Sequence, residues 1–364
     1  MSLKLKALTA TLGAAALAVA AAPSALASPH SPRPITDQVF APFNVALNHG
    51  NVYVADGGTA SIARVLATGQ LKTLATGPQG GTGDVAGIDL DRSGKQLAYT
   101  WTDYVNAKSG LTVLTGGKAT MTADLSTYEA THNPDQRLTY GLGKSANQCA
   151  QDAIENLSGG PATYTGMVDS HPYAVASLGG GAWVVADAGG NDLLKVTKSG
   201  TISTLAVLPR QPLKLTKSVA STLGLEKCVV GLTYNFESVP TDVEVDQHGM
   251  LWVSTLPGGP EDPSLGARGS VYKVNPRTGK ATRMATGFAG ATNLAVAPNG
   301  TVYVTELFGG KVSMVTKKGP KTVAEVPGAL SVEVKGSWLY VGTMAPMDDQ
   351  GNPTGSGTIV KIRR

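Results

Sequence analysis

The sequence carries none of the local signatures that mark most enzymes. It has no HExxH, nucleophile-elbow, P-loop or dinucleotide fingerprint, so zinc-protease, α/β-hydrolase, nucleotide-binding and NAD-type chemistry lack the geometry they need. Lys and Arg are scattered through turns and outer strands rather than gathered in a stripe, which excludes a nucleic-acid partner. Past residue 27 no stretch is apolar enough to span a bilayer. Aromatic residues make up only 5 % of the chain, charged residues 15 %, and there are two cysteines. Glycine, in contrast, is abundant: 45 of 364 residues, with 21 prolines and no collagen period. That balance fits an all-β chain of many short strands and tight turns.

The N-terminus reads as a targeting segment. Lys4 and Lys6 form a positive n-region, residues 7–22 an alanine-rich apolar run, and Ala25-Leu26-Ala27 a small-x-small cleavage site. The run is short for a spanning helix and is followed by Pro23. No cysteine follows it to take a lipid and no twin-Arg pair precedes it. The expected organisation is a signal peptide at 1–27, a linker at 28–34, and one domain from 35 to 364, exported to the cell exterior with no membrane attachment after cleavage. Without Lys4 and Lys6, the balance of 30 basic against 26 acidic residues narrows to about +2.

A unit of about forty residues recurs along this domain. Its clearest copy is 290–327, where β-forming segments at 292–296, 301–305, 311–315 and 321–326 are separated by Gly, Pro or Asn-Gly punctuation. Asn299-Gly300 suits a type I′ hairpin. The opening pair of strands repeats as 44–47 with 51–56, 87–90 with 97–100, 174–177 with 183–187, 242–245 with 251–254, and 331–334 with 338–341. Six copies of a four-stranded unit predict a six-bladed β-propeller, with blades near 41–82, 83–139, 171–209, 239–288, 289–327 and 328–364. The last copy is one strand short, and 35–40 is the strand that would close it.

Alternating strand direction sends every long insertion to one end of the ring: 101–109, 125–170, 209–240, 256–269 and 344–355. Loops on a rigid scaffold concentrate function, so that end is the expected working face. Two insertions, 145–157 and 214–225, have helical character. Cys149 and Cys228 lie in or beside them, and in an exported protein they are expected to form a disulfide that fastens a cap over the channel. The aromatic residues of this face, Trp101, Tyr104, Tyr128, Tyr164, Tyr173 and Tyr234, are candidate ligand contacts, together with Glu306. A monomer is expected.

The first residues of the inner strands point toward the axis: Asn44, Gly87, Ala174, Asp242, Asn293 and Ser331. Oxygens of Asn44, Asp242 and Asn293 suit a hard cation such as Ca²⁺ or Mg²⁺ in the central channel, or equally a water-lined bore. His171 and Glu237 begin neighbouring blades, near Asp169, Tyr234 and Glu306. They are candidates for a general base and its orienting partner, or for loop packing and loop capping.

The blade pattern in NVYVADGGTASIARV, WVVADAGGNDLLKV and TVYVTELFGGKVSMV resembles NHL-type and gluconolactonase-type propellers. More narrowly, CAQDAIENLSGGPATYTGMVDSHPYAV and CVVGLTYNFESVPTDVEV are similar to the ScyD/ScyE family of exported bacterial proteins. The resemblance implies an exported six-bladed propeller over nearly the whole mature chain. The gluconolactonase likeness implies Asn44, Asp242 and Asn293 as its Asn and Asp metal ligands, with no acidic counterpart from the first blade. Two functions follow as expectations. One is a binding or scaffold module that holds a small molecule, glycan or extracellular protein on the loop-rich face. The other is a metal-assisted hydrolase or lactonase at the channel mouth.

Overall fold

Strand segments such as Ala182–Asp187 (AWVVAD) are apolar nearly without alternation and buried on both sides, the pattern of strands covered on both faces of their sheet. The computed structural model describes residues 32–143 and 146–364. The expected signal segment and residues 28–31 of the linker lie outside these residues. Seven four-stranded antiparallel sheets form. Six of them follow the repeat, beginning at Pro42–Asn48, Gly83–Leu90, Pro172–Gly179, Pro240–Val245, Ala291–Val296 and Ala329–Lys335. Each of these innermost strands lies beside the next, and Ala329–Lys335 returns to Pro42–Asn48. The ring is an all-β propeller.

Arg33–Val39 pairs antiparallel with Gly357–Arg363 and becomes the outer strand of the sixth sheet. The two ends of the domain therefore share one blade, and the ring is closed by main-chain hydrogen bonds. At the first hairpin His49 and Gly50 both have positive φ, 46° and 87°, as a type I′ turn requires.

The low aromatic content shows in the core. Each seam between successive blades is filled mainly by Val, Leu, Ile and Ala, for example Val184, Leu193, Val243 and Val253 between the third and fourth. The second and third blades add the buried Trp183 to their seam. Small branched side chains suit strands that approach closely on both faces.

The insertions differ from the sequence expectation. Helices do form: α1 (Leu125–His132), α2 (Gln148–Ser158) and α3 (Lys217–Thr222). They accompany a seventh sheet, outside the ring, whose strands run in the order Thr163–Thr165, Thr139–Leu142, Thr233–Phe236, Gln211–Lys214. This cap has its own small core of Leu142, Ala150, Ile154, Leu215, Ala220 and Val229. Cys149 of α2 and Cys228 are joined by a disulfide with a Cα–Cα distance of 6.2 Å. Among the described residues no helix is long and apolar enough to cross a membrane.

Candidate functional site

Three blades end their second strand in a carboxylate that secures the incoming chain. Asp56 accepts the Phe40 and Ala41 amides at 2.9 and 2.8 Å. Asp187 accepts the His171 amide at 2.7 Å and the Ser170 hydroxyl at 2.6 Å. Glu306 accepts the Ala289 amide at 2.7 Å and the Ser313 hydroxyl at 2.5 Å. Glu306, a candidate ligand contact from the sequence, is thus 1 % exposed and engaged in holding the fifth blade.

With its main chain held by Asp187, His171 projects its ring at the mouth of the third blade. Its Nε2 lies 3.2 Å from Asp84 Oδ2. The Tyr104 hydroxyl donates to the same oxygen at 2.6 Å and lies 3.4 Å from His171 Nε2. Tyr104 and Tyr173 both meet the imidazole edge to face, with ring centroids 5.8 and 5.7 Å away. Phe43 of the first blade packs on Tyr173 at 5.3 Å. Burial disfavours the imidazolium, but the hydrogen bond and charge of Asp84, with Asp187 and Asp169 behind, outweigh it and hold His171 above its ordinary value. Burial and the Asp84 charge push the Tyr104 phenol far up, so it stays a donor. Asp84 is 8 % exposed, and its other oxygen, Oδ1, has no hydrogen-bond partner among the described residues.

Glu237 stands on the cap side of the mouth. Tyr164 and Tyr234 lie within its electrostatic reach. Burial, helped by the charge of Asp135, pushes its carboxyl up to about 7. His171 and Glu237 do not hydrogen-bond with each other; the imidazole turns to Asp84. Trp101 is placed elsewhere, with its indole N–H on Thr112 at 3.1 Å and its ring against the seam of the first two blades. Tyr128 hydrogen-bonds Thr204 at 2.9 Å and stacks on His132.

Sequence reasoning missed Asp84, although the repeat contains the signal. Asp84 and His171 each stand three residues before the axial position of their blade, so adjacent copies bring them face to face.

On the axis, Asn44 Nδ2 lies 3.4 Å from Asp242 Oδ1. Asp242 Oδ2 accepts the Leu294 amide at 2.8 Å and Asn293 Oδ1 the Val332 amide at 2.8 Å, so Asp242 and Asn293 stitch the inner strands of the fourth and fifth blades each to the next blade. Two residues further along the strands, Asp89, Glu244 and Glu333 alternate around the ring with Ala46, Ala176 and Ala295. Burial, reinforced by neighbouring carboxylates, raises Asp242 and Asp89 to about 7 and Glu333 to about 8. Among the described residues no group of three or more His, Cys, Asp or Glu side chains is disposed to hold a metal ion.

A cleft of about 450 Å³ lies away from the mouth, between the first two blades, lined by Arg64, Lys72, Lys95, Leu90 and Leu97. It is open, and none of the residues around His171 reaches it.

No protein-family model matches the sequence, and no curated protein matches it. Similar solved structures include the PQQ-bound aldose sugar dehydrogenase of Streptomyces coelicolor, 14 % identical, covering 91 % of this chain and 96 % of that one at a TM-score of 0.54. Virginiamycin B lyase from Staphylococcus aureus is 12 % identical over 92 % of this chain and 98 % of its own, at 0.48. A gluconolactonase-like protein is 13 % identical over 92 % of each chain, also at 0.48. At these identities the likeness is one of fold alone, and the match at 0.54 agrees with the propeller described above.

Proposed function

We propose that this protein is an exported propeller of the ScyD/ScyE type that binds a small, donor-rich ligand at the channel mouth beneath the cap. The observation that carries the reading is Asp84 Oδ1, a buried acceptor without a donor, on the carboxylate that Tyr104 and His171 touch, with the Tyr173 ring against the imidazole. A buried polar atom is ordinarily hydrogen-bonded, and a ligand hydroxyl or ammonium group would supply the donor. Glu237 and Tyr164 offer further polar contacts from the cap side. Carboxylates that accept, with aromatic rings that stack, suit a saccharide or an organic cation. The disulfide is compatible with an oxidising, extracellular location.

Calorimetry with a panel of neutral saccharides and quaternary ammonium compounds tests this reading on the parent, Asp84→Asn and Tyr173→Ala. Binding that weakens at least tenfold in both variants is expected. Ligands that bind the folded variants as well as the parent would refute it.

A metal-assisted hydrolase at the same mouth is a second reading, favoured by the 3.2 Å His171–Asp84 pair, which resembles a base and its orienting partner. It would need a cation such as Ca²⁺ or Mg²⁺ on Asn44, Asp242 and Asn293. The residues fit one poorly, because an Asp242 oxygen and the Asn293 oxygen already accept main-chain amides. Lactone turnover that disappears in His171→Gln and follows added cation would establish this reading over the first.

A further inference from the structure

Where α1 meets the third blade, carboxylates are buried without counter-charge. Glu129 is 1 % exposed and Asp192 0 %, and neither oxygen of either group has a hydrogen-bond partner. The Asp169 amide approaches Glu129 without reaching hydrogen-bond geometry. Asp135, 1 % exposed, gives one oxygen to the Tyr140 hydroxyl and Asn191 Nδ2 and leaves Oδ1 unpartnered. Asp187 is close by but fully engaged with Ser170 and main-chain amides. None of these four acids takes part in an ion pair among the described residues.

The unpartnered Glu129 and Asp192 oxygens face a common space, whereas Asp135 Oδ1 is packed against Gly166. A Cβ built on Gly190 would lie 3.3 Å from Glu129 Oε2 and have Asp192 Oδ1 3.6 Å away. Asn133, the left-handed residue that ends α1, donates its Nδ2 to the Gly166 carbonyl at 3.0 Å and leaves a buried Oδ1 unpartnered. Asn191 ties Asp135 to the turn that carries Asp192.

Protonation would remove the charge yet leave these oxygens without partners. A hard divalent cation removes both costs, since Ca²⁺ takes six to eight oxygens from carboxylates, amides, main-chain carbonyls and water. We propose that Glu129 and Asp192 bind a calcium ion between α1 and the 188–192 turn, with Asn133 Oδ1 as a neighbouring oxygen donor. Because no three carboxylate or imidazole groups are disposed to share an ion, the two carboxylates are the charged ligands and oxygens of other kinds complete the shell. The ion would lock the root of the cap, which leaves the ring just after α1, onto the third blade. This inference is independent of the ligand proposed for the mouth.

Burial raises Glu129 to about 8 and Asp192 well above its ordinary value, with neighbouring carboxylates adding to both.

The test is calorimetry and thermal melting of EGTA-stripped protein with Ca²⁺ alone, on the parent, Glu129→Gln, Asp192→Asn and the axial control Asp242→Asn. One ion per chain is expected, with binding at least tenfold weaker in the first two variants and unchanged in the control. No binding to the parent at millimolar Ca²⁺ overturns the proposal. So does binding that survives both cluster variants, or that is lost only in Asp242→Asn, which would place the ion on the axis. Should a cluster variant fail to fold, hydrogen exchange on the parent decides: Ca²⁺ must slow exchange in α1 and 188–192, and unchanged rates there overturn the site.

Discussion

Replacing Cys149 and Cys228 together by serine should uncouple the cap from the ring. The bond joins positions 79 residues apart, a loop for which chain-entropy reasoning gives about 4.5 kcal/mol at 25 °C. That loop contains the whole third blade, yet the bond itself lies in the cap, whose small core is separate from the blade seams. Ring stability rests on strand pairing and on the Arg33–Val39 closure, neither of which the bond touches. The loss should therefore fall on local opening of the cap rather than on global unfolding. In urea, the parent should unfold in one transition, and the serine variant should show an earlier one assigned to the cap. Hydrogen exchange locates it: amides of α2 should lose most of their protection while those of Ala182–Asp187 keep theirs. A single curve displaced by less than about 1 kcal/mol, with α2 still protected, would refute the reasoning.

Two further outcomes follow from burial and charge. Burial holds the carboxyls of Glu129 and Glu333 near 8 and that of Glu237 near 7, against an ordinary 4.5. The sign is opposite to that of an ion-paired carboxylate, because the folded state keeps protons that the unfolded chain releases between about pH 4.5 and 8. In chelator the melting temperature should thus fall from pH 5 to pH 8, and a rise over that range would contradict the assignment. Trp183, 1 % exposed in the seam of the second and third blades, should cost about 3–5 kcal/mol as Trp183→Ala. Trp183→Phe should cost much less, since the indole N–H has no partner to lose; denaturant midpoints of the two variants provide the check.

The ring was legible in the sequence because each blade repeats the same hairpin signals and the same apolar second strand. Even the closing strand could be inferred, from a last copy that lacked its fourth member. The cap sheet was not legible: its strands are three or four residues long, one begins Gln211-Pro212, and their partners are brought together only by the folded ring. A short edge strand with a proline gives no periodic signal. For the axis, strand alternation told which way Asn44, Asp242 and Asn293 point. It did not tell that neighbouring blades would supply main-chain amides to their oxygens, a consequence of how closely the inner strands approach. His171 was singled out by its position, but its partner Asp84 emerges only when adjacent repeats are superposed. Glu129 and Asp192 left no local motif, being far apart in sequence and joined by the packing of α1 on the third blade.

The claim that the mouth is the binding site is tested most directly by crystallographic fragment soaking of the mature protein with saccharides and organic cations. Bound molecules are expected at Asp84, Tyr104, His171 and Tyr173, with a donor on Asp84 Oδ1. Molecules gathered instead in the cleft beside Arg64, Lys72 and Lys95, with the mouth unvisited, would contradict it.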